Sequence, residues 1–271
     1  MRLVVQTLAE RPDLGRAGWR TLDAAWPAFM HLAPTGVLYY GAVGPGAVSH
    51  GAVSHGAVSC GIPAFAEHML LGVLDTDRDV VVARAATVPF RLGTGQDGEP
   101  TPLPDDGSDE VVRWAATDVI TGQRPDAVAS LEVVVRQDLR RRGLGAQLIT
   151  AMKNNARRLG ITTFVSPVRP VEKHRRPHTS MAEYVSWIRA DGLPADPWLR
   201  AHARLGGRIV GNAPASTVIA LPLAAWRRAT GLPFDRSGAV VVPGALLPVH
   251  CSVEHDHAVY VEPAVWMRHE L

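Results

Sequence analysis

The sequence predicts a mixed fold, α/β in content and α+β in the order of its elements. Three observations carry this expectation. Short valine-rich runs such as Ala127 to Val135 alternate with segments whose apolar residues recur at helical spacing, of which Leu144 to Ala156 is the clearest. Two runs, Met69 to Leu74 and Asp79 to Val88, follow one another across the polar residues Asp75, Asp77 and Arg78, which leaves room only for a hairpin. The 25 glycines and 21 prolines supply abundant turns.

Taken in order, Leu3 to Leu8 reads as a short strand. Pro12 to about Trp26 reads as a helix, with Trp19, Leu22 and Trp26 at helical spacing and Pro27 near its end. Residues 41–60 then read GAVGP, GAVSH, GAVSH and GAVSC, four pentads in tandem. Positions five apart share a face in neither a helix nor a strand, so His50, His55 and Cys60 make no regular metal site. The stretch reads as a low-complexity loop. The hairpin follows, then a loop from Gly93 to Asp106 and a helix from Asp109 to Ile120. The strand Ala127 to Val135 leads through a turn into a helix whose apolar face is Leu144, Leu148, Ile149, Met152 and Ala156, stopped at Gly160. Ile161 to Val165 is a further strand.

Ser166 to Pro197 is a long connection with five prolines and room for one short helix, Met181 to Ile188. Trp198 to Leu205 is a helix ended by Gly206 and Gly207. Arg208 to Val210 and Thr217 to Leu221 read as two strands, and a helix containing Trp226 follows Pro222. The tail alternates strands and turns, with a hairpin around Glu254 to His257. The expected organisation is one domain over residues 1–222, carrying the repeat loop at 41–60 and an insert at 166–197. Residues 223–271 are expected to pack on it as an extension.

Composition narrows the function. Basic residues number 28 and acidic residues 26, a net charge of +2, which argues against a general nucleic-acid binder. Two cysteines, Cys60 and Cys251, make no disulfide framework. The opening residues lack a secretory pattern, and the longest apolar run, Ser216 to Trp226, is far short of the ~20 residues of a membrane helix. A cytoplasmic protein without a membrane partner is expected, as monomer or homodimer.

The most informative segment is Leu131 to Leu148. A strand ends, and Arg140-Arg141-Arg142-Gly143-Leu144-Gly145 opens a helix. The first turn of a helix leaves backbone N–H groups without intrahelical partners. Gly143 and Gly145 let a ligand approach them, and the helix dipole with three arginines favours an anion such as a pyrophosphate. The third glycine of a dinucleotide fingerprint is absent, because Gly145 is followed by Ala146, Gln147 and Leu148.

This segment resembles the acyl-CoA signature of the GNAT superfamily of N-acetyltransferases, Arg/Gln-x-x-Gly-x-Gly/Ala after the fourth strand. Arg140, Gly143 and Gly145 match it. Downstream, HARLGGRIVG, His202 to Gly211, stands where the family commonly has a tyrosine and, four residues on, a glycine followed by an aromatic residue. Here His202 takes the tyrosine position and Gly207 the aromatic one. The resemblance covers about Asp109 to Leu221. It implies a mostly antiparallel central sheet flanked by helices, with a C-terminal extension. It also implies acetyl-CoA or another acyl-CoA as co-substrate, no metal, and a small-molecule amine as acceptor. Backbone groups of Arg141, Arg142, Gly143, Leu144, Gly145 and Ala146 would take the pyrophosphate. Those of Val133, Val134 and Val135 would pair with the pantetheine arm where a splayed fourth strand makes room. An aminoacyl-tRNA or carrier-protein donor, and a non-catalytic binding module, are the alternatives.

Acyl transfer needs a base, because an alkyl amine is mostly protonated at neutral pH. Glu132 is the first candidate, as the charged residue in an otherwise apolar strand. His202 is the second, as general acid or as a contact to the CoA sulfur. His250, Glu254, His255, Asp256 and His257 carry metal-type side chains but lack a zinc spacing, and read as a solvated turn. Tyr260, Glu262 and Trp266 read either as an acceptor pocket or as core. Tyr184 and Trp187 are substrate-facing candidates, and Lys173 to Arg176 reads as a solvated face.

Overall fold

A computed structural model describes residues 2–14, 22, 25–34, 63–74, 76–94 and 101–271. The repeat at 41–60 with His50, His55 and Cys60, most of the expected helix from Pro12 to Trp26, and part of the loop after Gly93 lie outside the described residues.

Among the described residues nine strands form one sheet: β1 (Leu3–Thr7), β2 (Met69–Leu74), β3 (Asp77–Phe90), β4 (Ala127–Val135), β5 (Thr163–Val168), β6 (Gly207–Pro222), β7 (Gly238–Val240), β8 (Val249–Ser252) and β9 (His257–His269). Their order is β1-β2-β3-β4-β5-β9-β8-β7, and β6 lies on the other edge of β9. All described pairs are antiparallel except β4 with β5. The helices are α1 (Gly107–Thr121), α2 (Leu144–Arg158), α3 (Met181–Val185), α4 (Pro197–Arg204) and α5 (Leu223–Thr230).

Helices cover both faces of the sheet. Val111, Val112 and Ala115 of α1 pack on Ala86, Val88, Ala129, Val165 and Trp266. On the opposite face Leu144, Leu148, Ile149 and Met152 of α2 pack on Val82, Val128 and Phe164. The apolar stripe read from the sequence is the stripe that is buried. Asp109 and Glu110 place negative charge in the first turn of α1, where the helix dipole favours it.

The central irregularity is a bulge in β4. Ala86 of β3 pairs with Glu132, and the next β3 residue, Thr87, pairs with Ser130, so Leu131 is an extra residue. A bulge of this kind turns side chains over. Ala127, Ala129 and Leu131 face α1 before it, and Glu132 and Val134 face α1 after it.

Several elements differ from expectation. The two short strands from Arg208 to Leu221 are one strand, β6, because both halves pair with β9 across an irregular stretch between Ala213 and Thr217. The run GAVVVPGAL yields only the short β7. The tail does more than pack on the domain. Its strand β9 lies inside the sheet, pairing β5 and β6 through Val265 to His269 and β8 through His257 to Val259. Lys173 is no solvated residue. It is fully buried, and its ammonium donates to the carbonyls of Arg176 and Leu246, each at 2.8 Å. Burial lowers its pKa, and without those carbonyls a buried ammonium would be costly.

Candidate functional site

β4 and β5 pair in parallel only through Ala127–Thr163, Val128–Phe164 and Ala129–Val165. Beyond them β4 runs on to Val135 and β5 to Val168 without pairing with each other, so the two strands part into a fork. The bulge at Leu131 falls where the fork opens. Past Ala129, the β5-facing edge of β4 has no strand partner among the described residues. Backbone groups around Val133, Val134 and Val135 are therefore placed where an extended ligand arm can lie as an added strand.

At the end of that edge stands the arginine–glycine turn. A single 3-10 turn, Gln137–Leu139, brings the chain round on the buried Leu139. Arg140, Arg141, Arg142 and Gly143 are exposed, and α2 begins at Leu144. Arg141 has φ 63 and Gly143 φ 76. A non-glycine residue in the left-handed region is strained, and such strain is common at ligand-binding turns. A Cβ built on Gly143 meets nothing within 4 Å, so the turn faces open space. Leu144, Gly145 and Ala146 supply first-turn amides. Gln147 fixes this turn to β1 by accepting a hydrogen bond from the Leu3 amide at 3.0 Å. The residues present thus suit an anionic ligand with an extended arm, the shape of a coenzyme A thioester.

No family model matches. The chain is 27% identical, over 98% of its own length and 93% of the other, to the arginine N-acetyltransferase avaD of Aspergillus versicolor. Two solved structures can be set beside this protein. The GphF GNAT-like decarboxylase in complex with isobutyryl-CoA is 15% identical, covers 100% of this chain and 99% of its own, and superposes with TM-score 0.46. The loading GNATL domain of CurA from Lyngbya majuscula is 17% identical, covers 76% and 78%, and has TM-score 0.45.

In this chain Glu132 sits on the α1 side of the fork and is buried. Its Oε1 lies 2.9 Å from Arg84 Nε. Its Oε2 accepts hydrogen bonds from Arg84 Nη2 at 3.2 Å and from Trp26 Nε1 at 3.1 Å. The register explains the pairing with Arg84, because Arg84 faces Val134 across β3 and β4, two residues from Glu132 on the same side. Oε1 is buried and accepts no hydrogen bond of good geometry among the described residues.

A second ionic pair lies across the fork. Arg169, one residue past β5, places Nε 3.0 Å from both oxygens of Glu262 on β9. Its Nη2 donates to the Gly244 carbonyl at 2.5 Å. Tyr260 donates to Glu262 at 2.6 Å and accepts from the Leu246 amide at 2.8 Å. Burial first, and then the Glu262 charge, push the Tyr260 phenol upward. Tyr260, Glu262 and Trp266 are all buried, so of the two readings the core one describes Tyr260 and Trp266. The Arg169 guanidinium stands 6.0 Å over the Trp26 ring.

His202 is on the other side of the sheet. It is 1% exposed, and its Nδ1 lies 2.9 Å from His269 Nε2. His269 shares the α2 face with Phe164, whose ring it meets edge-on. Burial first, and then the His269 charge, push the His202 pKa down to about 3. A histidine so placed is neutral at ordinary pH, and the sheet separates it from Glu132. The missing aromatic residue after it has a steric cause. A Cβ on Gly207 would lie 2.7 Å from His269 Cε1 and 2.8 Å from the His202 carbonyl oxygen. One turn earlier Trp198 packs on Gly145, where a Cβ would come within 3.1 Å of the indole. α4 therefore braces the first turn of α2 from behind.

Tyr184 is buried and donates to Asp196, while Trp187 is partly exposed. His255 caps the β8–β9 turn through Ser252, and no metal-holding group of three such side chains occurs among the described residues. No described helix is long and apolar enough to cross a membrane.

Arg84, Arg169 and Trp26 were not anticipated. Arg84 carried a usable signal, since it is a lone charge inside a valine-rich strand, as Glu132 is. The other two carried none.

Proposed function

We propose that this protein is an acyl-CoA-dependent N-acyltransferase, in its simplest form one that acetylates a small-molecule amine. The observation that carries this reading is the parting of β4 and β5 beyond Ala129 and Val165, next to the anion-receptive turn at the start of α2. Acyl-CoA supplies an activated acyl thioester and an anionic handle.

The chain's own residues do the rest. The first-turn amides of Leu144, Gly145 and Ala146, with those of Arg141 to Gly143, hold the pyrophosphate. Arg140, Arg141 and Arg142 surround it with positive charge. The free edge of β4 at Val133 to Val135 aligns the pantetheine. Glu132 attracts the acceptor ammonium and takes its proton through Oε1, which is ion-paired with Arg84 Nε but accepts no hydrogen bond of good geometry among the described residues. Arg84, against both oxygens, and Trp26, on Oε2, fix the orientation of that carboxylate. His202 stays outside the proton path and braces α4. The arginine specificity of the Aspergillus versicolor relative makes L-arginine the first acceptor to test.

Calorimetric titration with CoA, followed by mass-spectrometric detection of acetyl transfer to an amine panel, tests the reading. Micromolar CoA binding with transfer to at least one amine is expected. No binding at millimolar CoA would overturn it.

A further inference from the structure

The ionic groups on the α1 side of the fork are not equally reachable. The side chains of Arg84 and Glu132 are 4% and 3% exposed. In the second pair Glu262 is 6% exposed and Arg169 19%, so that pair shows solvent its cation. Arg169 is held from three directions: Glu262 at Nε, the Gly244 carbonyl at Nη2 and the Trp26 ring against its face. Glu262 is itself locked by Tyr260. Nη1 makes no hydrogen bond among the described residues. A rigid guanidinium with one free edge is a carboxylate receptor.

Its position relative to Glu132 gives this edge a use. The same indole that stands under Arg169 donates to Glu132, so one side chain spans from the β4 arm of the fork to the tip of β5. Trp26, which touches both the Glu132 carboxylate and the Arg169 guanidinium, links the place where an amine would be drawn to Glu132 with the free edge of Arg169. Each Arg–Glu pair is neutral in itself. A zwitterion brings a cation to the carboxylate of the first pair and an anion to the guanidinium edge of the second, at Nη1.

We propose that Arg169 binds the acceptor's carboxylate, and that the acceptor is therefore an amino acid and not a simple amine. The place given to the amine at Glu132 rests on the acyltransfer reading above. A site built to hydrogen-bond a substrate group discriminates strongly against the analogue that lacks it.

The test compares amino acids with their decarboxylated counterparts: L-arginine with agmatine, L-lysine with cadaverine and L-leucine with isopentylamine. Affinities are measured by calorimetry on the full chain, with and without CoA. In wild type the amino acid is expected to bind about 10-fold tighter or more in each pair that binds. Arg169→Gln should bring the two to within about 2-fold while leaving the amine's affinity in place. That variant orphans the buried Glu262, so Arg169→Gln/Glu262→Gln, which removes the stranded charge, is measured beside it. Equal affinity within the wild-type pairs, or no binding of any amino acid, overturns the proposal without recourse to a variant. Acetyl transfer that ignores the carboxylate sinks the role of Arg169 and leaves the acyltransfer reading standing. Loss of CoA binding sinks that reading, while the ligand pairs still decide Arg169.

Discussion

Arg84 Nη2 donates to Glu132 Oε2 at 3.2 Å, and the two side chains are buried together on neighbouring strands. The bulge at Leu131 makes this possible, because it turns Glu132 onto the face that Arg84 already occupies. Removing one partner leaves the other charged and unpaired in the core. Arg84→Met is expected to cost about 3–5 kcal/mol of stability, and the double variant Arg84→Met/Glu132→Gln to recover most of it. Urea unfolding of the four proteins gives the cycle. Additive losses would mean that the pair is not coupled.

Glu132→Gln should leave CoA affinity unchanged and lower kcat by about 10²- to 10⁴-fold, the usual worth of a general base. Single-turnover acetyl transfer, with calorimetry for CoA, separates the two effects. A fall in CoA affinity of the same size would assign Glu132 to binding.

Gly143 faces open space with φ 76. Gly143→Asn should keep CoA binding within a few-fold, because asparagine tolerates the left-handed region. Gly143→Glu places a negative charge where the pyrophosphate belongs and should weaken CoA by ~10–100-fold. Equal affinities for the two variants would remove the turn from the CoA site.

Gly207 has no room for a methyl group, with His269 Cε1 at 2.7 Å and the His202 carbonyl at 2.8 Å from a built Cβ. Gly207→Ala is expected to destabilise by ~1–3 kcal/mol through overpacking. A melting temperature equal to wild type would show that α4 can move off the sheet.

Three buried histidines make stability depend on pH. Burial pushes His202 from 6.5 to about 3, and His68 and His269 from 6.5 to about 4. The charges of Arg158 near His68 and Lys153 near His269 push the same way. The unfolded chain therefore takes up protons first as pH falls. Stability is level above about pH 7, declines below about 6.5, and goes on declining toward the folded values, with a slope of ~1.4 kcal/mol per pH unit for each histidine. Urea midpoints at pH 7, 5.5 and 4.5 measure this, and a flat series would contradict the burial of these rings.

Much of the site was legible where local chemistry decides it. Ala127 to Val135 reads as a strand and is β4 residue for residue, because six of its nine positions are apolar β-formers or alanine flanking a single charge that the bulge then uses. The turn and stripe of α2 were equally plain, since Gly143 and Gly160 mark its two ends. What was not legible depends on partners distant in sequence. Nothing in His257 to His269 says that it belongs between β5 and β6. The neutral state of His202 is set by its burial and then by His269 beside it, and the buried ammonium of Lys173 is satisfied in part by the Leu246 carbonyl. Periodicity reports which face is apolar and leaves open which element covers it.

The position of β9 has a consequence in time. β5 pairs with β9 through Phe164 and His269, and one arm of the fork is complete only when that pairing forms. About a hundred residues separate the two, so at ~5–20 residues per second β5 waits on the order of 5–20 seconds for its neighbour during synthesis. Through that interval its edge is bare and its apolar residues are a liability. The binding fork is thus among the last parts of this protein to close, and slowing translation after Val168 should cost soluble yield before it costs the activity of the molecules that do fold.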